Sequence, residues 1–217
     1  RKIHKNSSRN KKPFIVLNGA LLDSNKYELE LFGEERSDGS ISYGALEKAT
    51  GGILLIDEVS EIPLETQSKI LRVLIDQKFK RINGNHDIKV NVRIICSSTK
   101  DIKDEISKGN FREDLFHRLN VVPIELSPLS SRTEDIPELI NYFKKKISDI
   151  NGVQEVDIDP KNDQLYTYNW PGNVRELRNL IERITIVSAN ESKENIDKTI
   201  SDILNNKESI DNRSALQ

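Results

Sequence analysis

Methionine is missing from all 217 residues, and cysteine occurs once, at Cys96. A chain without methionine does not begin at a natural start, so it reads as a fragment of a longer protein. A single thiol excludes an internal disulfide framework and fits a reducing, cytoplasmic compartment. No apolar run approaches the roughly 18 residues of a membrane helix, and no signal-peptide pattern is present, so no membrane role is expected. Neither sign of charge is scarce: 33 Lys and Arg face 35 Asp and Glu. The resulting net charge of -2 removes any global bias towards nucleic acid. The first twelve residues, "RKIHKNSSRNKK", hold six Lys or Arg and read as a solvated helix end running into a loop. What remains is 35% hydrophobic and 31% charged, enough for one large domain or a domain with a small partner.

Along the chain, "FIVLNGALL" has strand length, and "ELELFGEERSDGSISYGALEKATGG" has helical ends around an exposed loop at residues 34–42. "GGILLIDE" reads as a buried strand. In "PLETQSKILRVLIDQKF", Leu64, Leu71, Leu74 and Ile75 fall on one helical face, with Pro63 as a first-turn residue. "FKRINGNHDIKV" predicts a hairpin turning at Asn83-Gly84. "VNVRIICSST" is a further strand, "DIKDEISKGNFREDLFHRL" two helices around a glycine stop, and "VVPIEL" a closing strand. After "SPL" three helical segments follow with no strand between them. The expectation is an α/β layer over residues 1–127, a small helical domain over 128–190, and a frayed helix and linker over 191–217.

Asp57 and Glu58 end the "GGILLIDE" strand. In an open parallel sheet, ligands gather beyond the carboxyl ends of the strands. One carboxylate there suits Mg²⁺ that takes its other ligands from phosphates and water, and the other suits an attacking water. The pair also suits a strand that simply ends in two solvated acids.

Two stretches carry arginines. In "NFREDLFHRL", Arg112 and Arg118 stand six apart, about 120° around a helix, so they do not share one narrow face. Asp114 and Arg118 form a favourable (i, i+4) pair on such a helix. An exposed arginine reaching a neighbour's nucleotide is the alternative. In "WPGNVRELRN", Asn173 and Glu176 have capping-box spacing, which puts Arg175 in the first helical turn. A cation there opposes the helix dipole unless an anion binds.

Taken in order, "ELFG", "GALEKATGGILLIDE", "QSKILRVL", "VRIICSST", "GNFREDLFHRLNVVPIELSPL", "EDIPELI" and "NWPGNVRELRNLIER" resemble one family. It is the AAA+ domain of bacterial enhancer-binding proteins, the activators of sigma-54 RNA polymerase. The likeness runs from about residue 10 to 190. It implies a P-loop NTPase-type parallel sheet flanked by helices, followed by a helical lid. It implies ATP and Mg²⁺ as cofactors, with Asp57 and Glu58 as the Walker B pair for metal and water. Asn18 matches the switch asparagine that can hold the Walker B glutamate unproductive, and Thr99 occupies the sensor I position. Arg112 and Arg118 match arginine fingers acting on a neighbouring subunit, and Arg175 matches sensor II.

The same resemblance implies a homo-oligomeric ring whose ATP hydrolysis regulates transcription within a two-component response regulator. Its partners are a sigma factor, a sensor kinase acting through a receiver domain, and DNA bound by a C-terminal domain. Two features depart from the family pattern. No G-x-x-G-x-G-K phosphate loop stands in the sequence, which begins inside the helix that would follow one, so this piece alone is not expected to bind ATP well. "EERSDGSISY" stands where the family has its GAFTGA loop, which resembles the branch of nitrogen-regulation response regulators and leaves the contact with sigma-54 open. The other readings are an AAA+ remodeller of a different protein target and a nucleotide-independent interaction module.

Overall fold

Aliphatic runs and polar breaks alternate through the first half of the chain, and the secondary structure follows them. The computed structural model describes residues 1–23, 26–188 and 192–214, with side chains as far as 205. A single helical turn, α1 (Lys2–Lys5), precedes β1 (Phe14–Asn18) and α2 (Tyr27–Phe32). The hairpin of β2 (Gly33–Glu35) and β3 (Ile41–Tyr43) leads to α3 (Ala45–Lys48). Then come β4 (Ile53–Asp57), α4 (Leu64–Asp76), and a second hairpin of β5 (Lys78–Phe79) and β6 (Ile88–Lys89). β7 (Arg93–Cys96), α5 (Ile102–Ser107) and α6 (Glu113–Leu119) follow. The rest is helical: α7 (Ile136–Asn151), α8 (Gln164–Thr167), α9 (Asn173–Val187) and α10 (Lys193–Ser214). The chain divides into two compact units, Arg1–Pro123 and Ile124–Gln217.

In the first unit β1, β4 and β7 form a parallel sheet with β4 in the middle. A central strand covered on both faces needs apolar residues at consecutive positions, and Ile53, Leu54 and Ile56 are fully buried. The register sets Asn18 beside Asp57 and Cys96 beside Ile56, so the three strands finish together at a polar tip. Burial also pushes the Cys96 thiol up to about 12, which leaves it protonated and inert.

Three expectations for this unit need correction. The stretch 34–42 is exposed over 36–41 as expected, but its ends are strand and not loop. It is the tip of the β2–β3 hairpin, closed by Arg36 N–H to Ser40 O and Gly39 N–H to Arg36 O, both at 2.9 Å. Strands of three residues are too short to announce themselves by alternation. Next, α4 buries the expected face only in part: Leu71 and Leu74 pack partly buried against the core, Leu64 and Ile75 are 46% and 59% exposed, and Thr66, Gln67, Ile70 and Val73 are buried. Two polar residues on the inner side hid the true stripe. Finally, residues 121–126 form no strand, and Val121, Val122, Ile124 and Leu126 lie 67–86% exposed. An apolar β-branched run becomes a strand only when a neighbour completes its ladder hydrogen bonds, and no described strand does so.

The second hairpin does form, with Lys78 opposite Lys89 and Asn83 in a left-handed conformation. It is tied to the first one. Glu35 N–H donates to Ile82 O and Ile82 N–H to Gly33 O, both at 2.9 Å. Arg81 sits between them, donating to both oxygens of Glu47 at 2.6 and 2.8 Å and to Glu35 at 2.8 Å.

The second unit is built on a 3.6-residue pattern. α9 turns Leu177, Ile181 and Ile184 inward with Val174 partly buried, and α7 contributes Ile140, Phe143 and Ile147. Trp170 is buried, donates its indole N–H to Leu165 O at 2.9 Å and meets Tyr168 edge-on. Of the stretch expected as a frayed helix and linker, the helix forms as α10 and runs on to Ser214, where a linker was expected. Ile196, Ile200, Ile203 and Leu204 recur at helical spacing and are buried in this unit's core. Residues 191 and 215–217 of that expectation lie outside the described residues.

Candidate functional site

β4 ends at Asp57, and the chain turns sharply at Glu58, whose φ of 57° and ψ of 59° are left-handed. A side chain rarely adopts that conformation, and such residues cluster where geometry matters for function. Successive side chains of a straight strand point to opposite faces. The turn cancels that divergence, because both carboxylates now meet one segment, Ser97–Thr99, beyond the end of β7. Ser97 Oγ donates to Asp57 Oδ1. Thr99 donates to Glu58 Oε2 twice, through its N–H and its hydroxyl, each at 3.0 Å. The β4–β7 ladder continues past the strands to hold this arrangement, with Ser97 N–H to Ile56 O at 3.0 Å and Val59 N–H to Ser97 O at 2.9 Å.

Asn18 ends β1 next to Asp57, and its Oδ1 accepts from Ala20 N–H at 3.0 Å, capping the turn at Gly19–Leu21. In this state the partner of Glu58 is therefore Thr99 rather than Asn18. Ser97 and Gly19 belong to the same tip and were missed in the sequence. A Cβ on Gly19 would lie 2.4 Å from Glu58 O and 2.9 Å from Asp57 O, so only glycine lets the end of β1 approach the acidic turn. The one available signal for Ser97 was the hydroxyl run "SST" after an aliphatic strand. The Asp57 carboxylate meets the Ser97 hydroxyl, and a carboxylate oxygen is a ligand type that suits a hard cation such as Mg²⁺.

The arginines stand otherwise than expected. Arg112 precedes α6 and is not part of it, so the helical angle to Arg118 does not apply. Its guanidinium grips Asp114 with two hydrogen bonds, 3.0 and 2.6 Å, and Asp114 pairs with Arg112 rather than with Arg118. This pairing raises the Arg112 pKa and lowers that of Asp114. Arg118 is exposed in the last turn of α6 and donates to Leu74 O at 3.2 Å.

In the second unit, Gly172 is the N-cap of α9, and its N–H donates to Glu176 at 2.9 Å. The expected capping box is thus only half present. Asn173 Oδ1 accepts from Leu129 N–H at 2.8 Å instead of capping, and both Trp170 and Asn173 adopt left-handed φ. Arg175 lies in the first turn, exposed, with no ion pair among the described residues.

A parallel sheet with paired acids at its tip and a separate helical unit is the architecture of an AAA+ ATPase. The sigma-54 interaction domain family matches residues 1–125 and the AAA+ ATPase lid domain matches residues 130–215, so the chain belongs to the sigma-54 interaction domain family. It is 45% identical over 190 residues to the nitrogen assimilation regulatory protein NtrX of Azorhizobium caulinodans, covering 87% of this chain and 42% of that protein. Against the regulatory protein AtoC of Escherichia coli it is 45% identical over 194 residues, covering 87% and 42%. The crystal structure of Brucella abortus NtrX in complex with ATP superposes with a TM-score of 0.82 at 46% identity, covering 88% of this chain and 42% of that one. Thermotoga maritima RuvB, at 16% identity and a TM-score of 0.55, shares the fold alone. The chain spans less than half the length of the curated relatives it matches. Among the described residues no helix is long and apolar enough to cross a membrane.

Proposed function

We propose that this chain is the central part of an ATP-dependent transcription regulator, in which copies assembled as a ring hydrolyse ATP at sites shared between neighbours. The observation that carries the reading is the left-handed turn at Glu58, which directs two adjacent carboxylates onto one row of hydroxyls at the sheet's carboxyl edge. Bound Mg-ATP supplies a terminal phosphoanhydride bond that breaks when water attacks the γ-phosphorus.

The chain's own residues divide the remaining work. Asp57 would hold Mg²⁺, with Ser97 orienting its carboxylate. Glu58 would align and deprotonate the attacking water. Thr99 fixes the rotamer of Glu58, and a hydroxyl is well suited to pass between that carboxylate and a phosphate oxygen. Arg112 and Arg118 would reach the nucleotide of a neighbouring copy, and Arg175 would respond to a phosphate. The relative crystallised with ATP supports nucleotide binding in this family. Contact with sigma-54 is part of the proposal in a restricted form. The tip Arg36–Ser40 is a closed turn without the GAFTGA sequence, so the proposal does not extend to remodelling of sigma-54 through this tip.

Glu58→Gln in the full-length protein tests the assignment. It keeps the Thr99 hydrogen bonds and removes the base. ATP binding should persist while hydrolysis falls by on the order of 100-fold or more, as expected for loss of a general base. Hydrolysis at the wild-type rate would remove Glu58 from the reaction.

A further inference from the structure

Gln67 lies in the middle of α4 on the face turned to the core, and it is fully buried. A carboxamide in that position is costly unless its donors and acceptor are used. All are. Its Nε2 donates to Ile62 O at 2.8 Å and to Asn110 O at 3.0 Å, and its Oε1 accepts from Arg112 N–H at 2.9 Å. Ile62 closes the turn that follows Glu58. One side chain therefore joins the acidic turn to the backbone of Arg112.

We propose that Gln67 is a positioning residue for Arg112, setting where its backbone sits so that the guanidinium can reach outward. The proposal rests on the finger reading of Arg112 given above. The neighbouring amides are also fixed: Asn110 and Phe111 N–H both donate to Glu105 O, at 2.9 and 3.2 Å. Phe111 and Leu115 are buried on either side of Arg112. Among the described residues, the Gln67 side chain makes the hydrogen bonds that link this stretch to the helix leading from Glu58. The backbone of Arg112 is thus held, while its side chain is 41% exposed and its ion pair among the described residues is with Asp114, itself 49% exposed. A rigid base beneath an exposed guanidinium is what presenting a cation to another molecule needs, because a misplacement of about 1 Å can cost a factor of 100 in rate. An aliphatic residue of similar size would fill the same space and make none of these bonds.

Hydrogen exchange in the full-length protein reads the anchoring directly. The Arg112 amide lies outside any helix or strand, yet in the wild type it should exchange on the order of 100-fold more slowly than an open amide. In Gln67→Met that protection should be lost at Arg112 and kept in β4 and at Asn110 and Phe111, whose amides donate to Glu105 O. Steady-state kinetics reads the consequence: kcat should fall roughly 10- to 100-fold with KM for ATP within about twofold. Adding Gln67→Met to Arg112→Ala should cost nothing further, since both act through one group. A freely exchanging Arg112 amide in the wild type would overturn the proposal, and that measurement stands even where Gln67→Met does not fold. So would a folded Gln67→Met with wild-type kcat beside a crippled Arg112→Ala. Wild-type hydrolysis by Arg112→Ala would instead overturn the finger reading, and the role of Gln67 with it, while slow exchange at Arg112 would still show the anchor.

Discussion

Arg81 and Arg112 are both bidentate on carboxylates, and they do opposite things. The Arg81 side chain is 10% exposed, is held by Glu47 and Glu35 from two different elements, and lies over the Tyr43 ring at 5.5 Å. Those partners raise its pKa, the Glu47 hydrogen bonds most of all. Every donor direction that matters is committed to holding the two hairpins and α3 together. Arg112 has an open side chain and one carboxylate, two residues away, which an incoming phosphate can displace. Identical chemistry serves architecture where it is enclosed by partners from distant segments, and in the proposed reading it serves reaction where a fixed backbone presents it to solvent. A sequence shows two arginines; only packing separates them.

The contrast can be broken from either side. Arg112→Ala should lower kcat for ATP by on the order of 10³-fold, the scale of a lost arginine finger. Its thermal unfolding should match the wild type, because an exposed pair contributes little to folding. A drop in melting temperature with hydrolysis intact would reverse the assignment. Arg81→Ala should do the converse. It strands Glu47 and Glu35 together in a nearly enclosed site, at a cost of about 2 kcal/mol, below the range for deeply buried pairs because Glu35 keeps some access to water. Denaturant titration checks this, and an unchanged midpoint would show that the hairpins do not depend on the clamp.

Much of this was legible in the residues. β4 announced itself as an uninterrupted aliphatic run ending in Asp57-Glu58, because a strand buried on both faces has no polar alternation to hide it. The inward stripe of α9 followed its helical period just as directly. The failures share a cause: tertiary partners that periodicity does not contain. Gln67 was not singled out in α4 because its three hydrogen-bond partners come from other segments, at positions 62, 110 and 112. Asn173 looked like a cap, but Leu129, distant in sequence, claims its side chain. Val121 and Val122 have strand composition and no strand beside them among the described residues. At the candidate site, the acids were visible as residue types, whereas the left-handed turn that brings them onto Ser97 and Thr99 was not.

The claim on which the rest depends is that the acids of one copy act with the arginine of another. Mixing full-length Glu58→Gln with full-length Arg112→Ala tests it, since each partner retains what the other lacks. The account predicts that the mixture hydrolyses ATP well above the sum of the two proteins assayed separately. A mixture no more active than that sum would contradict it.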